Sequence, residues 1–168
     1  KYVYGLLNST VCWYLIKSIC PFIRGGFYEV RAQYIETLPV PDKPKNETIS
    51  TIANDCQTTV EARYKCETDF ARRLEDLVPE GGEFKLNKKL TSWWELDFSE
   101  LQTEIKKAFK GSIPLAERND WQDYFEAEQA KRQELELKVT QLEKQLNQEV
   151  YKLFNLTTEE IALIGNES

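Results

Sequence analysis

The chain has no histidine and no methionine, only 7 glycines and 6 prolines in 168 residues, and no apolar run of bilayer length. Each absence removes a class of function. Without histidine there is no imidazole base for a triad or dyad. The four cysteines, Cys12, Cys20, Cys56 and Cys66, lack the close pairs of zinc sites, so they read as reduced core residues of a cytoplasmic protein. The apolar stretch Tyr2 to Ile19 is broken by Asn8, Ser9, Thr10 and Lys17 and stopped by Pro21. It falls short of the ~20 apolar residues a bilayer requires, and a buried helix rather than a membrane span is expected. Three Asn-x-Ser/Thr matches, at Asn8, Asn46 and Asn155, follow no secretory signal and read as chance. A start at Lys1 with no methionine reads as a piece of a longer protein.

What is present is apolar and charged in quantity, 41% and 30% of residues respectively, enough for a packed core. The net charge is −6, against a protein that coats itself with nucleic acid. Yet residues 1–41 hold Lys1, Lys17, Arg24 and Arg31 against Glu29 and Glu36, a net of +2, leaving −8 for the rest. Phosphate contacts are expected at the front.

The longest helical pattern runs from Asn119 to Phe154 without Pro or Gly, on the order of 50 Å at ~1.5 Å per residue. Leu135, Val139, Leu142, Leu146 and Leu153 form a narrow seam that asks for a partner helix. Asn119 with Gln122 reads as its capping pair, and Glu128 with Arg132, Glu134 with Lys138 and Glu149 with Lys152 read as solvated pairs. A second long helix, about 47–77, carries Ile49, Ile52, Ala53, Cys56, Val60, Phe70, Leu74 and Leu77, with Asn46 as its cap. Its apolar face is blurred by Arg63 and Glu67.

Between them, residues 79–118 connect the two, with Trp93-Trp94 expected to anchor a satellite core. A capping box at Asp97 and Glu100 opens a helix that Gly111 stops. A further Thr-to-Glu box begins a last short helix that ends at Gly165. In front, Arg24-Gly25-Gly26 reads as a turn leading into a short strand, and Leu38-Pro39-Val40-Pro41 as an extended segment before a boundary near Asp42. The expected fold is mainly α: a long antiparallel helical hairpin with a small N-terminal helix and a short strand segment.

Two stretches resemble a known family. Ser18-Ile19-Cys20-Pro21, Arg24-Gly25-Gly26-Phe27-Tyr28, Gln33-Tyr34-Ile35 and Leu38-Pro39-Val40-Pro41 resemble the end of the target-recognition domain in DNA adenine methyltransferases of the Taq type and the fused type IIG restriction enzymes. Trp93-Trp94-Glu95-Leu96-Asp97-Phe98, Trp121-Gln122-Asp123-Tyr124-Phe125 and Glu149 to Ile161 are similar to the extreme C-terminus of those enzymes. The resemblance implies a target-recognition end at 1–41 and a helical spacer at 42–168. It implies double-stranded DNA and an upstream methyltransferase domain as partners, with S-adenosylmethionine bound by that parent and no cofactor held in this region. The family's Asn/Asp-Pro-Pro-Tyr/Phe motif and a glycine-rich cofactor loop are both missing, so no catalytic residue is expected here. The candidate DNA-binding residues are Lys17, Arg24, Gly25, Gly26 and Arg31. The alternative is a coiled-coil dimerisation or interaction module, a homodimer through the long helices, with no activity of its own.

Overall fold

The structure, a computed structural model, describes residues 1–41 and 47–166. The expected linker at 42–45 and the cap at Asn46 lie outside the described residues. The fold is mainly helical, with long helices and one small antiparallel sheet. By packing, the chain divides into one unit of residues 1–58 and 139–168 and another of residues 59–138. This is not the same cut as the expected one between 1–41 and 42–168. Both long helices, α4 (Glu47–Arg73) and α6 (Arg118–Leu153), contribute a segment to each unit.

In the first unit the front helix is two helices, α1 (Tyr2–Leu7) and α2 (Thr10–Ile19), not the single one expected. Ser9 is the reason: its hydroxyl accepts from the Cys12 amide at 3.2 Å and donates to the Leu6 carbonyl at 2.7 Å, capping a new helix in the middle of the apolar run. The start of α2 then docks on α6, where the Thr10 amide donates to Asn147 Oδ1 at 2.9 Å and the Thr10 hydroxyl meets the Tyr151 hydroxyl at 2.9 Å. Leu6, Val11, Ile49, Leu146, Val150 and Ile164 form the core. Gly5 is where α1 comes closest, since a Cβ there would lie 2.9 Å from Ile49 Cγ2 and 3.3 Å from Leu146 Cδ1.

Behind α2 a second cluster gathers Cys12, Ile16, Cys20 and Leu38. Ahead of Leu38-Pro39-Val40-Pro41 lies one helical turn, α3 (Ala32–Ile35), which brings Tyr34 and Ile35 onto that cluster, and no helix continues through Pro39. The last helix, α7 (Thr158–Asn166), opens on the expected box: the Glu160 amide donates to Thr157 Oγ1, and the Thr157 amide to Glu160 Oε2 at 2.8 Å. Asn155, with φ +51°, terminates α6 in the left-handed turn that asparagine tolerates.

The second unit is built around aromatic rings. Trp93 is fully buried and stacked on Phe70 with ring centroids 3.9 Å apart, among Leu74, Leu90, Leu101, Ile105 and Phe125. Its indole Nε1 donates to the Glu67 carbonyl of α4 at 3.2 Å, while Gln129 of α6 donates to the carbonyls of Trp94 and Leu96 at 3.0 and 2.7 Å. The connecting segment is therefore tied to both long helices, and Trp93 is a core anchor as expected. The helix α5 (Phe98–Phe109) has the Asp97–Glu100 capping box. Its stop differs: Lys110 takes the left-handed position at φ +57°, and Gly111 is needed for closeness, its α-carbon facing the Leu77 carbonyl.

The cap of α6 also differs. A 3-10 turn over Leu115–Glu117 leads straight into the helix, so Asn119 lies inside it and Gln122 donates to Glu126 instead. The seam is used within the chain: Val139 and Leu146 are buried and Leu135, Leu142 and Leu153 half-buried, and Val150, outside the expected seam, is buried too. The charges expected to be solvated are only partly so. Glu149 and Lys152 pair at 2.7 Å, whereas Arg132 turns from Glu128 toward α4, where it meets Glu67 at 3.0 Å. Arg63, which blurred the apolar face of α4, pairs with Glu136 at 2.6 Å.

Candidate nucleic-acid interface

The candidate residues all fall in the first unit, on and around a β-hairpin. Strands β1 (Phe22–Ile23) and β2 (Phe27–Tyr28) pair antiparallel, with Phe22 opposite Tyr28 and Ile23 opposite Phe27. Aromatic and β-branched residues favour this ladder, and Pro21 ends the preceding helix before it. The three-residue loop is Arg24-Gly25-Gly26, and both glycines have positive φ, +103° and +86°. An L side chain at either position would be strained, so the tip depends on the glycine pair. The Glu29 amide closes the hairpin on the Pro21 carbonyl at 2.9 Å.

Residues opposite one another share a face of the ladder. On one face, Tyr28 makes edge contacts to Phe22, with centroids 5.4 Å apart, and to Trp13 of α2, 6.0 Å away. Lys17, one helical turn after Trp13, places its Nζ 5.5 Å from the centre of the Trp13 ring. Lys17 thus borders the aromatic face of the hairpin. Arg24, at the tip, is exposed and has no carboxylate partner among the described residues. Arg31 lies at the far end, just before α3, where its guanidinium is taken by Glu29 at 2.5 Å.

Of the five candidate residues, then, Arg24, Gly25 and Gly26 form the tip, and Lys17 flanks it through Trp13. Arg31 is neutralised by a neighbour. The reading by residue type passed over the aromatic members: Trp13, hidden in an apolar helical run, and Phe22 and Phe27, which flank the glycine pair. The last two are 69% and 68% exposed, more than any other aromatic ring on the first unit.

Guanidinium and ammonium groups beside exposed rings suit phosphate and base or other anionic and aromatic partners. Among the described residues no group of three or more His, Cys, Asp or Glu side chains is placed to hold a metal ion, and no helix is long and apolar enough to cross a membrane. An apolar cleft of about 220 Å³ is lined by Leu6, Leu7, Cys12, Leu38, Pro39 and Phe154 among others, with no hairpin residue, and burial pushes the Cys12 thiol pKa up, away from nucleophilic chemistry.

A family profile described as "Domain of unknown function (DUF8810)" matches residues 42–150, from the start of the α4 region through most of α6, and leaves the hairpin outside. No curated protein and no solved structure matches the chain.

Proposed function

As the chain belongs to the family Domain of unknown function (DUF8810) over its long helices, we propose a function from the surface that precedes them. It is a DNA target-recognition and spacer module of an S-adenosylmethionine-dependent adenine-specific DNA methyltransferase or type IIG restriction enzyme, without catalysis of its own. The observation that carries the reading is the Arg24-Gly25-Gly26 tip: an exposed guanidinium with no carboxylate partner among the described residues, beside two glycines with positive φ, in a front region whose net charge is +2. A close backbone approach and an open guanidinium are what groove or phosphate contact needs. Lys17 adds a second cation on the flank. The spacer part of the reading rests on the length of α4 and α6. In this division of labour S-adenosylmethionine belongs to an upstream methyltransferase domain, and a cytoplasmic setting keeps the four free cysteines reduced.

The test is duplex DNA binding by the 168-residue chain across a series of salt concentrations. Arg24→Ala should weaken binding and lower the slope of log affinity against log salt by about 1, the signature of one lost phosphate contact, with an unchanged circular dichroism spectrum. Equal affinity of wild type and variant removes Arg24 from the interface. No affinity for duplex DNA even at low salt removes the DNA reading.

A further inference from the structure

Phe27 stands apart from the other rings of the hairpin. Register puts it with Ile23, on the face opposite the Trp13, Tyr28 and Phe22 contacts. It has no ring partner among the described residues, and its side chain lies back over the tip. A Cβ built on Gly25 would be 3.4 Å from both Cδ2 and Cε2 of the Phe27 ring. The ring therefore rests against a glycine on one side and is 68% exposed. It follows the turn directly and is three residues from Arg24.

An exposed phenyl ring gains nothing from water, and a solvated phenylalanine beside an open guanidinium points to a ligand with both a flat π-face and a negative charge. A nucleotide has both. A base inside an intact stack offers only its edges, so a ring that presents its face needs a base that has lost a stacking neighbour. Building on the DNA-binding reading above, we propose that Phe27 stacks on an unstacked nucleobase, so that the hairpin favours DNA carrying a gap or a single-stranded step over a continuous duplex. Gly25 matters to this through its positive φ, which shapes the turn that presents the ring.

The experiment compares three DNAs of the same sequence at one low salt concentration: a paired duplex, a duplex with a one-nucleotide gap, and a single strand. Each carries a fluorescent adenine analogue, beside the gap where there is one. Wild-type chain should bind the gapped duplex or the single strand about tenfold more tightly than the paired duplex, within the range of one base stacked on one aromatic ring, and should quench the analogue. Preference for the gap alone places the base within duplex context, and preference for both makes any exposed base sufficient. Phe27→Leu keeps the apolar bulk and removes the π-face, and Phe27→Ala removes both. Each should abolish the preference and the quenching while leaving the helical circular dichroism signal as in wild type. Equal binding to all three DNAs, or a preference that survives Phe27→Leu, overturns the stacking inference alone. Failure to bind any of the three overturns it together with the DNA reading on which it rests.

Discussion

Arg132 Nε lies 3.0 Å from Glu67 Oε1, and with their side chains only 18% and 19% exposed the two form a partly buried bridge between α6 and α4 inside the second unit. The bridge is part of a closed set. Arg132 also meets Glu136 at 3.0 Å, Arg63 meets Glu136 at 2.6 Å and Glu67 at 3.8 Å, and the Arg132 guanidinium sits 4.6 Å from the centre of the Trp94 ring. Two positive and two negative groups satisfy each other where a purely apolar seam would slide. A partly buried charge is tolerated only when it is paired and hydrogen-bonded, so this set fixes the register of the two helices as well as joining them.

Arg132→Ala should therefore lower unfolding free energy by about 2 kcal/mol, combining lost charged hydrogen bonds with lost cover over Trp94. Arg132→Met retains the stem over the ring and should recover part of that. A double-mutant cycle with Glu67→Gln, read by urea denaturation, should give a coupling of about 1 kcal/mol, and additive losses would show that the pair contributes nothing as a pair. The backbone carbonyl of Glu67, which accepts from Trp93, is untouched by the substitution.

Gly111→Ala tests a backbone contact. A Cβ there would fall 2.1 Å from the Leu77 carbonyl oxygen and 3.3 Å from Pro79 Cδ, and neither is a flexible side-chain end that could move aside. The substitution should reduce stability by roughly 2–4 kcal/mol, as overpacking against main chain does, and thermal denaturation measures it. Gly165→Ala, where nothing lies within 4 Å, is the control and should change the midpoint little.

Cys66 should be the slow thiol. Burial first, then a hydrogen bond from its Sγ to Glu128 Oε2 at 3.2 Å and the charge of that carboxylate, push its pKa up to about 11. At pH 8 roughly one thiol in a thousand is then thiolate, and iodoacetamide should label Cys66 far more slowly than free cysteine unless the second unit opens. The sign of the linkage follows. A group whose pKa is raised in the folded state stabilises fully below its unfolded value near 9, and that contribution falls as pH rises toward 11. Cys66→Ala should remove this part of the alkaline loss when midpoints are compared between pH 8 and 11. An identical pH profile for the two proteins would rule the linkage out.

Much of the helical content was legible residue by residue because it depends on local period and local caps. The long helices, the Asp97–Glu100 and Thr157–Glu160 boxes and the role of Trp93 as a core anchor follow from spacings of three, four and seven residues. The turn at Gly25 and Gly26 was legible for the same reason, since a glycine pair between β-formers is where the chain takes positive φ without steric cost. The break at Ser9 went the other way. Apolar residues continue on both sides of it and mask the Ser9 cap, which the docking of Thr10 onto Asn147 and Tyr151, more than a hundred residues on, reinforces.

The charges divide in the same manner. A sequence places Glu128 and Arg132 four residues apart and so offers them to each other, but it holds no record of which helix lies opposite. The structure gives Arg132 to Glu67 and Glu136, leaves Glu128 to Cys66 and Lys131, and spends Arg31 on Glu29 while Arg24 stays open. The aromatic members of the hairpin surface were equally out of reach, because Trp13 joins Tyr28 and Phe22 through a chain reversal and not through any spacing. By itself the sequence determined where helices run and where the backbone can turn, which are short-range matters of hydrogen bonding and sterics. Which charges are neutralised and which rings are left in water was decided only by tertiary contact, since burial and pairing depend on residues distant in the chain.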